Sequence, residues 1–583
     1  METSQLYYGD NLDILRKYIK DESIDLIYLD PPFNSKANYN ILFKESSGES
    51  SKSQIEAFTD FWHWDSESAK TFDNLVTSAA PVNVIKATDA LVNLLGHNDM
   101  SAYIVMMTVR LLELKRVLKK TGSIYLHCDS TASHYLKIMM DQIFGPTNFV
   151  NEIIWRRTGS NNSADGFGPI HQTILFYAKD KNEMKFYYTK GPYTIDYVKK
   201  FFIEEDERGI FRSVLLTGPG TRKGDSGKPW KGYNPTSSGR HWQPASYLYE
   251  KYKELTNDDL SKYPLLERLE KLDGIGLIHW GKNAKVPTYK LYLKDASGVP
   301  YQDIWAFQPG TQGCIYNNPN IGIDQDVKWL TGEDKEKLGY PTQKPLGLLE
   351  RILRASSKEG DIVLDPFCGC GTTIDASEKL GRKWVGIDIT HLAINLIKRR
   401  IKDKYPNAKF DIIGEPKDLE GAKQLATSDR YQFQWWALSL IDAIPANDKK
   451  KGADTGIDGE IFYRTADKTI RVLVQVKSGE VQVKDIRDFA YVCSKANYGI
   501  FITLEDPTGP MEKVAIEQGY TKETVSNEQV PKLEIITIKE LLEQSKVPKV
   551  QQVYNKVNVS YKKAQHKKER KVKELKKGRN KKL

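Results

Sequence analysis

Four consecutive residues, Asp30-Pro31-Pro32-Phe33, have the types needed to activate an amino group on an aromatic base. Such a nitrogen is a poor nucleophile because its lone pair is delocalised into the ring. A carboxylate such as Asp30, with a backbone carbonyl fixed by the two prolines, can accept both amino hydrogens and push the lone pair toward a methyl donor, stabilising the change with preorganised dipoles. Phe33 is placed to stack on a base flipped out of a duplex. Standing alone, the tetrapeptide reads better as a proline-stopped strand with a chance Asp and a core Phe.

A second group, Asp365-Pro366-Phe367-Cys368-Gly369-Cys370-Gly371-Thr372-Thr373, has glycines where a ligand must approach backbone closely. A dinucleotide fingerprint would place a third glycine at 374, where Ile374 stands, so a nicotinamide or flavin ligand is disfavoured. Asp388, 23 residues after Asp365, can accept hydrogen bonds from both hydroxyls of a ribose, which points to an adenosine-bearing ligand. The Cys368/Cys370 pair lacks the further ligands of a zinc site. A third group pairs Gly452-Ala453-Asp454-Thr455-Gly456-Ile457-Asp458-Gly459 with Gln475-Val476-Lys477, 17 residues beyond Asp458. A hairpin would bring an acid, an amide oxygen and a cation together, the set that a metal-dependent nuclease uses around Mg²⁺. The alternative is a Gly/Asp turn before a core strand, with Lys477 solvated.

These groups need elements to hold them. Ile24–Leu29 is a short apolar run stopped by two prolines, hence a strand. Ser101 to Lys120 carries apolar residues at helical spacing, and a strand over 123–127 follows. Strand 362–365, a helix over 372–380 and strand 383–388 form a βαβ unit. Between about 156 and 335 periodicity fades and the chain turns Gly-, Pro-, Trp- and Lys-rich, which reads as a loop-rich insertion. A polar stretch near 414–430 reads as a linker, and 469–477 as a buried strand. The expected class is α/β: residues 1–155 and 336–414 as two halves of one sheet, 156–335 inserted between them, 431–545 as a second α/β domain, and 546–583 as a basic tail.

At 583 residues the chain is several domains long. Its net charge of +10 sits in the tail, where residues 556–583 hold 13 Lys/Arg against 2 Asp/Glu. Such a cluster can bind phosphates through counterion release or simply be solvated. No apolar run is long enough to span a bilayer, no signal-peptide pattern opens the chain, and five cysteines make no disulfide framework. These features point to a cytoplasmic protein without a membrane partner.

Tyr8-Gly9-Asp10, Asp30-Pro31-Pro32-Phe33, Tyr340-Pro341-Thr342-Gln343-Lys344-Pro345 and Asp365 to Thr373, in this order, resemble the DNA amino-methyltransferases of restriction-modification systems in their permuted β class. The resemblance covers about residues 1–410. It implies a circularly permuted Rossmann-like sheet binding S-adenosylmethionine, with an inserted target-recognition region and double-stranded DNA as partner. It also implies that Asp30, Pro31, Pro32 and Phe33 handle the target base, and that Asp365, Phe367, Gly369, Gly371 and Thr372 line the cofactor. Asp388 would hold the ribose, Asp10 would lie near the adenine, and Thr342 and Lys344 near the methionine end. An Asp first and a Phe last is similar to the adenine-N6 enzymes, with cytosine-N4 as the alternative. Trp155-Arg156-Arg157 and His171 flank the inserted region, where arginines can contact phosphate or guanine.

Residues 431–545 resemble the Mrr-like branch of the restriction-endonuclease fold, which implies Asp458 and Gln475 as Mg²⁺ ligands and Lys477 as a catalytic cation. A glutamate that family members often carry on the first helix is replaced here by Gln432 and Gln434. The expected function is therefore site-specific methylation of adenine N6. The alternatives are a bifunctional restriction-modification protein and a carboxyl-terminal domain that only tethers DNA. The oligomeric state is open, a homodimer included.

Overall fold

The computed structural model describes residues 3–32, 63–160, 166–187, 189–281, 286–338, 340, 342–446, 456–464, 469–494, 496–523 and 528–554. Phe33, Pro341, residues 452–455 and the basic run 556–583 lie outside the described residues. The chain divides into two compact units, one made of Met1–Tyr187 with Val327–Leu583 and the other of Tyr188–Asp326.

The first unit holds a large sheet with the strands Phe149–Arg156, His171–Ala178, Leu118–Cys128, Ile24–Leu29, Ile362–Asp365, Lys383–Asp388, Ser4–Tyr8 and Phe410–Ile413 side by side in that order. His171–Ala178 runs antiparallel to both its neighbours, and every other pairing is parallel. Helices cover both faces of such a sheet, so its central strands read as continuous apolar runs, and Ile24–Leu29 is buried at every position. From Ile24–Leu29 the chain crosses to Leu118–Cys128 on one side. From Ile362–Asp365 it crosses to Lys383–Asp388 on the other. These two strands are adjacent, so a crevice must open beyond their carboxyl ends, where the winding reverses.

The expected helix over 101–120 runs from Asp99 to Val117, and Asn98 caps it by accepting from Met100 N and Ser101 N. It stops early because Leu118 already pairs with Ile24 in the sheet. The helix Leu346–Ser356 buries Leu348, Leu349, Ile352 and Leu353 completely. At ~1.5–3 kcal/mol per side chain that is roughly 6–12 kcal/mol before chain entropy, enough to hold the adjoining loop that carries Lys344.

The inserted region starts later than the sequence suggests, at Tyr188 rather than 156. Its expected first part, His171–Ala178, is a sheet strand buried at all positions but its first. The insertion is also less irregular than its composition. Glu204–Asp206, Gly209–Leu215, Thr288–Tyr292 and Ile278–His279 form an antiparallel sheet, and the helices Ser246–Thr256 and Leu265–Gly274 pack over a core with Trp230, Trp242, Leu248, Leu269 and Tyr292. Its strands are too short for the alternation to register in a sequence window.

The carboxyl-terminal part holds a five-stranded sheet in the order Ile444–Pro445, Gly459–Arg464, Thr469–Lys477, Tyr498–Thr503, Leu533–Thr537, antiparallel up to Thr469–Lys477 and parallel beyond it. The presumed linker is largely a helix, Leu419–Ser428, whose Ala422 and Ala426 enter this domain's core. Likewise the start of the presumed tail is the helix Lys549–Tyr554, with Val550, Val553 and Tyr554 in the same core. Both stretches look polar because only one narrow face of each is buried.

Candidate active site

The crevice at the switch point is a cleft open to solvent. Asp30, Pro31 and Pro32 reach it from the end of Ile24–Leu29, and Asp365, Phe367, Gly369, Cys370 and Thr372 from the end of Ile362–Asp365. Asp388 joins from the next strand, and Tyr340, Thr342 and Lys344 from the segment before Leu346–Ser356. Residues more than 300 positions apart thus form one wall, because two parallel strands end side by side.

The glycine turn is locked from below. Gly371 adopts a left-handed conformation, φ +74°, and a Cβ there would stand 2.6 Å from Ile397 Cγ1, so glycine is required although Gly371 does not itself line the cleft. Arg400, almost fully buried, donates through Nη1 to Cys370 O at 3.0 Å and through Nε to Asp375 Oδ2 at 2.7 Å. Burial alone would raise the Asp375 carboxyl, yet Arg400, Lys404 and Tyr405 hold it below the usual range. On the other side Asn11 Nδ2 donates to Pro366 O at 2.8 Å, and Arg110 ties Asn11 Oδ1 and Asp10 Oδ2 at 2.6 and 2.7 Å. Sequence reading missed Arg400, Asp375, Asn11 and Arg110, whose spacing carries no motif.

Asp388 accepts from Gly369 N at 2.9 Å on one oxygen and from Thr390 N and Oγ1 at 2.9 and 2.8 Å on the other. The oxygen that accepts from Gly369 N alone keeps a lone-pair site for a ligand hydroxyl, whereas the other is filled by its two Thr390 donors. Asp365 accepts from Phe367 N at 3.1 Å. Burial raises the Asp365 carboxyl to about 7, helped by Asp30 and Asp388, and raises Asp388 to about 6. Asp30 is also pushed up by burial, against the opposing pull of Lys344, whose Nζ pairs with Asp30 Oδ2. The other oxygen, Asp30 Oδ1, is buried without a hydrogen-bond partner. Three desolvated carboxylates face one lysine, so the cleft suits a cationic ligand and repels an anionic pyrophosphate.

Asp10 does not line this cleft. It caps the helix Asn11–Tyr18 through Leu12 N at 2.8 Å and pairs with Arg110. Trp155 is a buried packing residue donating to Val327 O at 2.8 Å, Arg156 lies over Trp329, and His171 is exposed. Burial raises the Cys368 and Cys370 thiols, which leaves them inert.

In the carboxyl-terminal domain the hairpin brings Asp458 beside Val474, with Asp458 N donating to Val474 O at 2.8 Å. Asp458 Oδ2 accepts from Val476 N at 2.8 Å and Oδ1 from Gln434 Nε2 at 2.9 Å. Gln475 Oε1 is buried without a hydrogen-bond partner, and Lys477 faces Asp485 at 3.7 Å. Among the described residues no group of three or more His, Cys, Asp or Glu side chains could hold a metal. Any cation here would rest on one carboxylate and glutamine amides. The helix Arg430–Leu440 that supplies Gln434 also reaches the main sheet's flank, where Gln432 Oε1 accepts from His391 N at 2.9 Å.

Fold and cleft together define a class: a doubly wound α/β enzyme in which a strand-end carboxylate faces a glycine-rich ligand turn. A DNA methylase family profile matches residues 24–399, and the chain belongs to that family, the N6/N4 DNA methyltransferases. It is 28% identical over 401 residues to the type II methyltransferase M.EcaI of Enterobacter cloacae, covering 69% of each chain. It is 26% identical over 382 residues to the StyLTI Mod subunit of a type III restriction-modification enzyme of Salmonella typhimurium, covering 63% of this chain and 48% of that one. The chain thus spans about two thirds of the first relative and half of the second. Among solved structures, TTHA0409 from Thermus thermophilus complexed with S-adenosyl-L-methionine is 15% identical with a TM-score of 0.30, covering 71% of this chain and 99% of that one. No helix among the described residues is long and apolar enough to cross a membrane.

Proposed function

We propose that this chain methylates adenine N6 in double-stranded DNA at a specific site, with S-adenosylmethionine as donor. The observation that carries the reading is Asp30 Oδ1, a buried acceptor without a hydrogen-bond partner, at the end of the strand adjoining the glycine turn. A buried acceptor left unmet costs about 1–3 kcal/mol, which an amino hydrogen of the target base would recover. S-adenosylmethionine supplies, when bound, a methyl group on a positively charged sulfur, and the acidic cleft fits that charge. Asp388 would hold the ribose hydroxyls, and Phe367, Gly369 and Thr372 would shape the turn around the nucleoside. Thr342 and Lys344 would bind the methionine end. Asp30, with a carbonyl of the proline pair, would accept the amino hydrogens and orient the nitrogen lone pair, and Phe33 would stack on the base. The unit Tyr188–Asp326 would read the sequence. Mass spectrometry of DNA from cells expressing the intact protein or Asp30→Ala tests this. N6-methyladenine only with the intact protein supports it, and N4-methylcytosine in its place would redirect the assignment to cytosine.

A second reading is favoured by Gln475 Oε1, another buried acceptor that lacks a hydrogen-bond partner. Asp458 and Gln475 would bind Mg²⁺, with Gln434 rotating its amide oxygen inward and Lys477 polarising the attacking water, in an Mrr-like nuclease domain that makes the protein bifunctional. Mg²⁺-dependent cutting of unmethylated DNA, lost in Asp458→Ala, supports it; DNA left intact in every methylation state sinks it.

A further inference from the structure

The carboxylate that accepts the target amino group is itself held by a cation. Asp30 follows the strand Ile24–Leu29, and Lys344 reaches it from the segment before the helix Leu346–Ser356. The backbone of Lys344 is fixed on two sides. Its carbonyl accepts from Thr372 Oγ1 of the glycine turn at 3.3 Å, and two residues on Leu346 N donates to Glu336 Oε1 at 2.5 Å. The ammonium pairs with Asp30 Oδ2 and lies 3.4 Å from Thr342 O. The Lys344 and Asp30 side chains are 9% and 15% exposed, so water screens the pair little.

The groups around Asp30 make that charge matter. Tyr28 lies on its own strand, Cys128 ends the strand Leu118–Cys128 on one side, Asp365 ends the strand Ile362–Asp365 on the other, and Tyr340 belongs to the segment of Lys344. Each of these four groups is raised by burial first, with the charge of Asp30 adding to it, and none of them becomes a cation in either protonation state. The nearby His127 imidazole is held well below its usual range by burial and by Lys344, so it stays neutral. Burial pushes the Asp30 carboxyl up, and Lys344 opposes it. A buried carboxyl without a cation takes up a proton, and then it donates where an amino hydrogen needs an acceptor. Position matters as well as charge. The last torsion of an Asp side chain is soft, so a fixed partner on Oδ2 decides where Oδ1 points. Oδ1 is the oxygen left buried without a hydrogen-bond partner.

We infer that Lys344, besides any contact with the methionine end, is a positioning residue for the acceptor: its ammonium pins Asp30 Oδ2, leaves Oδ1 for the target amino group, and keeps the group a carboxylate. The inference rests on Asp30 being the acceptor. Cofactor turn and acceptor are thereby joined through one residue, because Thr372 holds the Lys344 backbone while Asp30 holds its side chain.

The test compares the intact chain with Lys344→Met, Lys344→Gln and Lys344→Arg in single-turnover methyl transfer to duplex DNA across pH, at saturating tritiated S-adenosylmethionine. Saturation removes effects on donor affinity, so the acid limb of the rate reports the bound complex. Lys344→Met should slow transfer by about 10²-fold at neutral pH, the scale of one lost preorganised group, and move the acid limb to higher pH. Lys344→Gln keeps a donor for Oδ2 without the charge. Its acid limb should move the same way, and it carries the test if Lys344→Met does not fold. Lys344→Arg restores the charge, and its limb should return toward that of the intact chain. A raised KM for S-adenosylmethionine with an unmoved acid limb in the uncharged variants would confine Lys344 to the methionine end and overturn the inference, as would a limb displaced as far in Lys344→Arg as in Lys344→Met. Methylation retained in Asp30→Ala would instead overturn the reading on which it rests.

Discussion

Replacing Gly371 by alanine perturbs the cofactor turn at one atom. The left-handed conformation costs an L-residue roughly 1–2 kcal/mol. A methyl 2.6 Å from Ile397 Cγ1 adds about 1–3 kcal/mol of overpacking, because Ile397 is fully buried and has nowhere to move. The expected loss is therefore ~2–5 kcal/mol, read by urea denaturation of the cofactor-free chain. The two parts separate in a double-mutant cycle. Ile397→Ala removes Cγ1 and leaves Cβ at 3.4 Å from the new methyl, an ordinary contact. That single variant costs about 2–5 kcal/mol for its cavity. The double variant should then be less destabilised than the sum by about 1–3 kcal/mol, while the backbone strain stays. Additivity to within ~0.5 kcal/mol would refute the steric part of the reasoning, since independent sites add to that precision.

Three further outcomes follow from the charges. Asp365 and Asp388 titrate near 3.8 when unfolded but at about 7 and about 6 in the fold, so between about pH 4 and 7 the folded chain binds more protons than the unfolded one. Their contribution to cofactor-free stability is then most favourable at acid pH and falls as pH rises through that window; a wild-type minus Asp365→Asn difference in Tm that does not rise on acidification from pH 8 to 5 contradicts this. Affinity for a cationic cofactor analogue should move the opposite way, weakening as pH drops through 7 and 6, and calorimetry should show a smaller pH effect for S-adenosylhomocysteine, whose sulfur is neutral. Arg400→Met strands Asp375 as a buried carboxylate with fewer partners and should destabilise by about 3–5 kcal/mol, whereas Arg400→Met with Asp375→Leu should recover much of it, measured by urea unfolding.

Much of the site was legible because its chemistry sits at strand ends. A strand that stops at Asp30-Pro31-Pro32 and one that stops at a glycine turn from Asp365 each announce themselves in a few consecutive residues, since the special backbone needs Pro or Gly at particular positions. Whether the two share a cleft was not contained in either. Adjacent parallel pairing of Ile24–Leu29 with Ile362–Asp365 decided it, a contact between segments more than 300 residues apart. Asp10 shows the reverse case: its motif points toward the cofactor, but its carboxylate caps a helix and pairs with Arg110.

The sequence by itself determined the class of sheet, the carboxylate at the proline-stopped strand end, the glycine turn, the Asp388 strand end and the hairpin that carries Asp458, because each depends on local conformation or on alternating burial. Tertiary structure alone decided which acids share one desolvated cleft and how far burial raises them. It also decided where the Tyr188–Asp326 unit begins. The physical reason is that desolvation depends on everything packed around a group, and those neighbours come from strands and helices that the chain visits hundreds of residues apart.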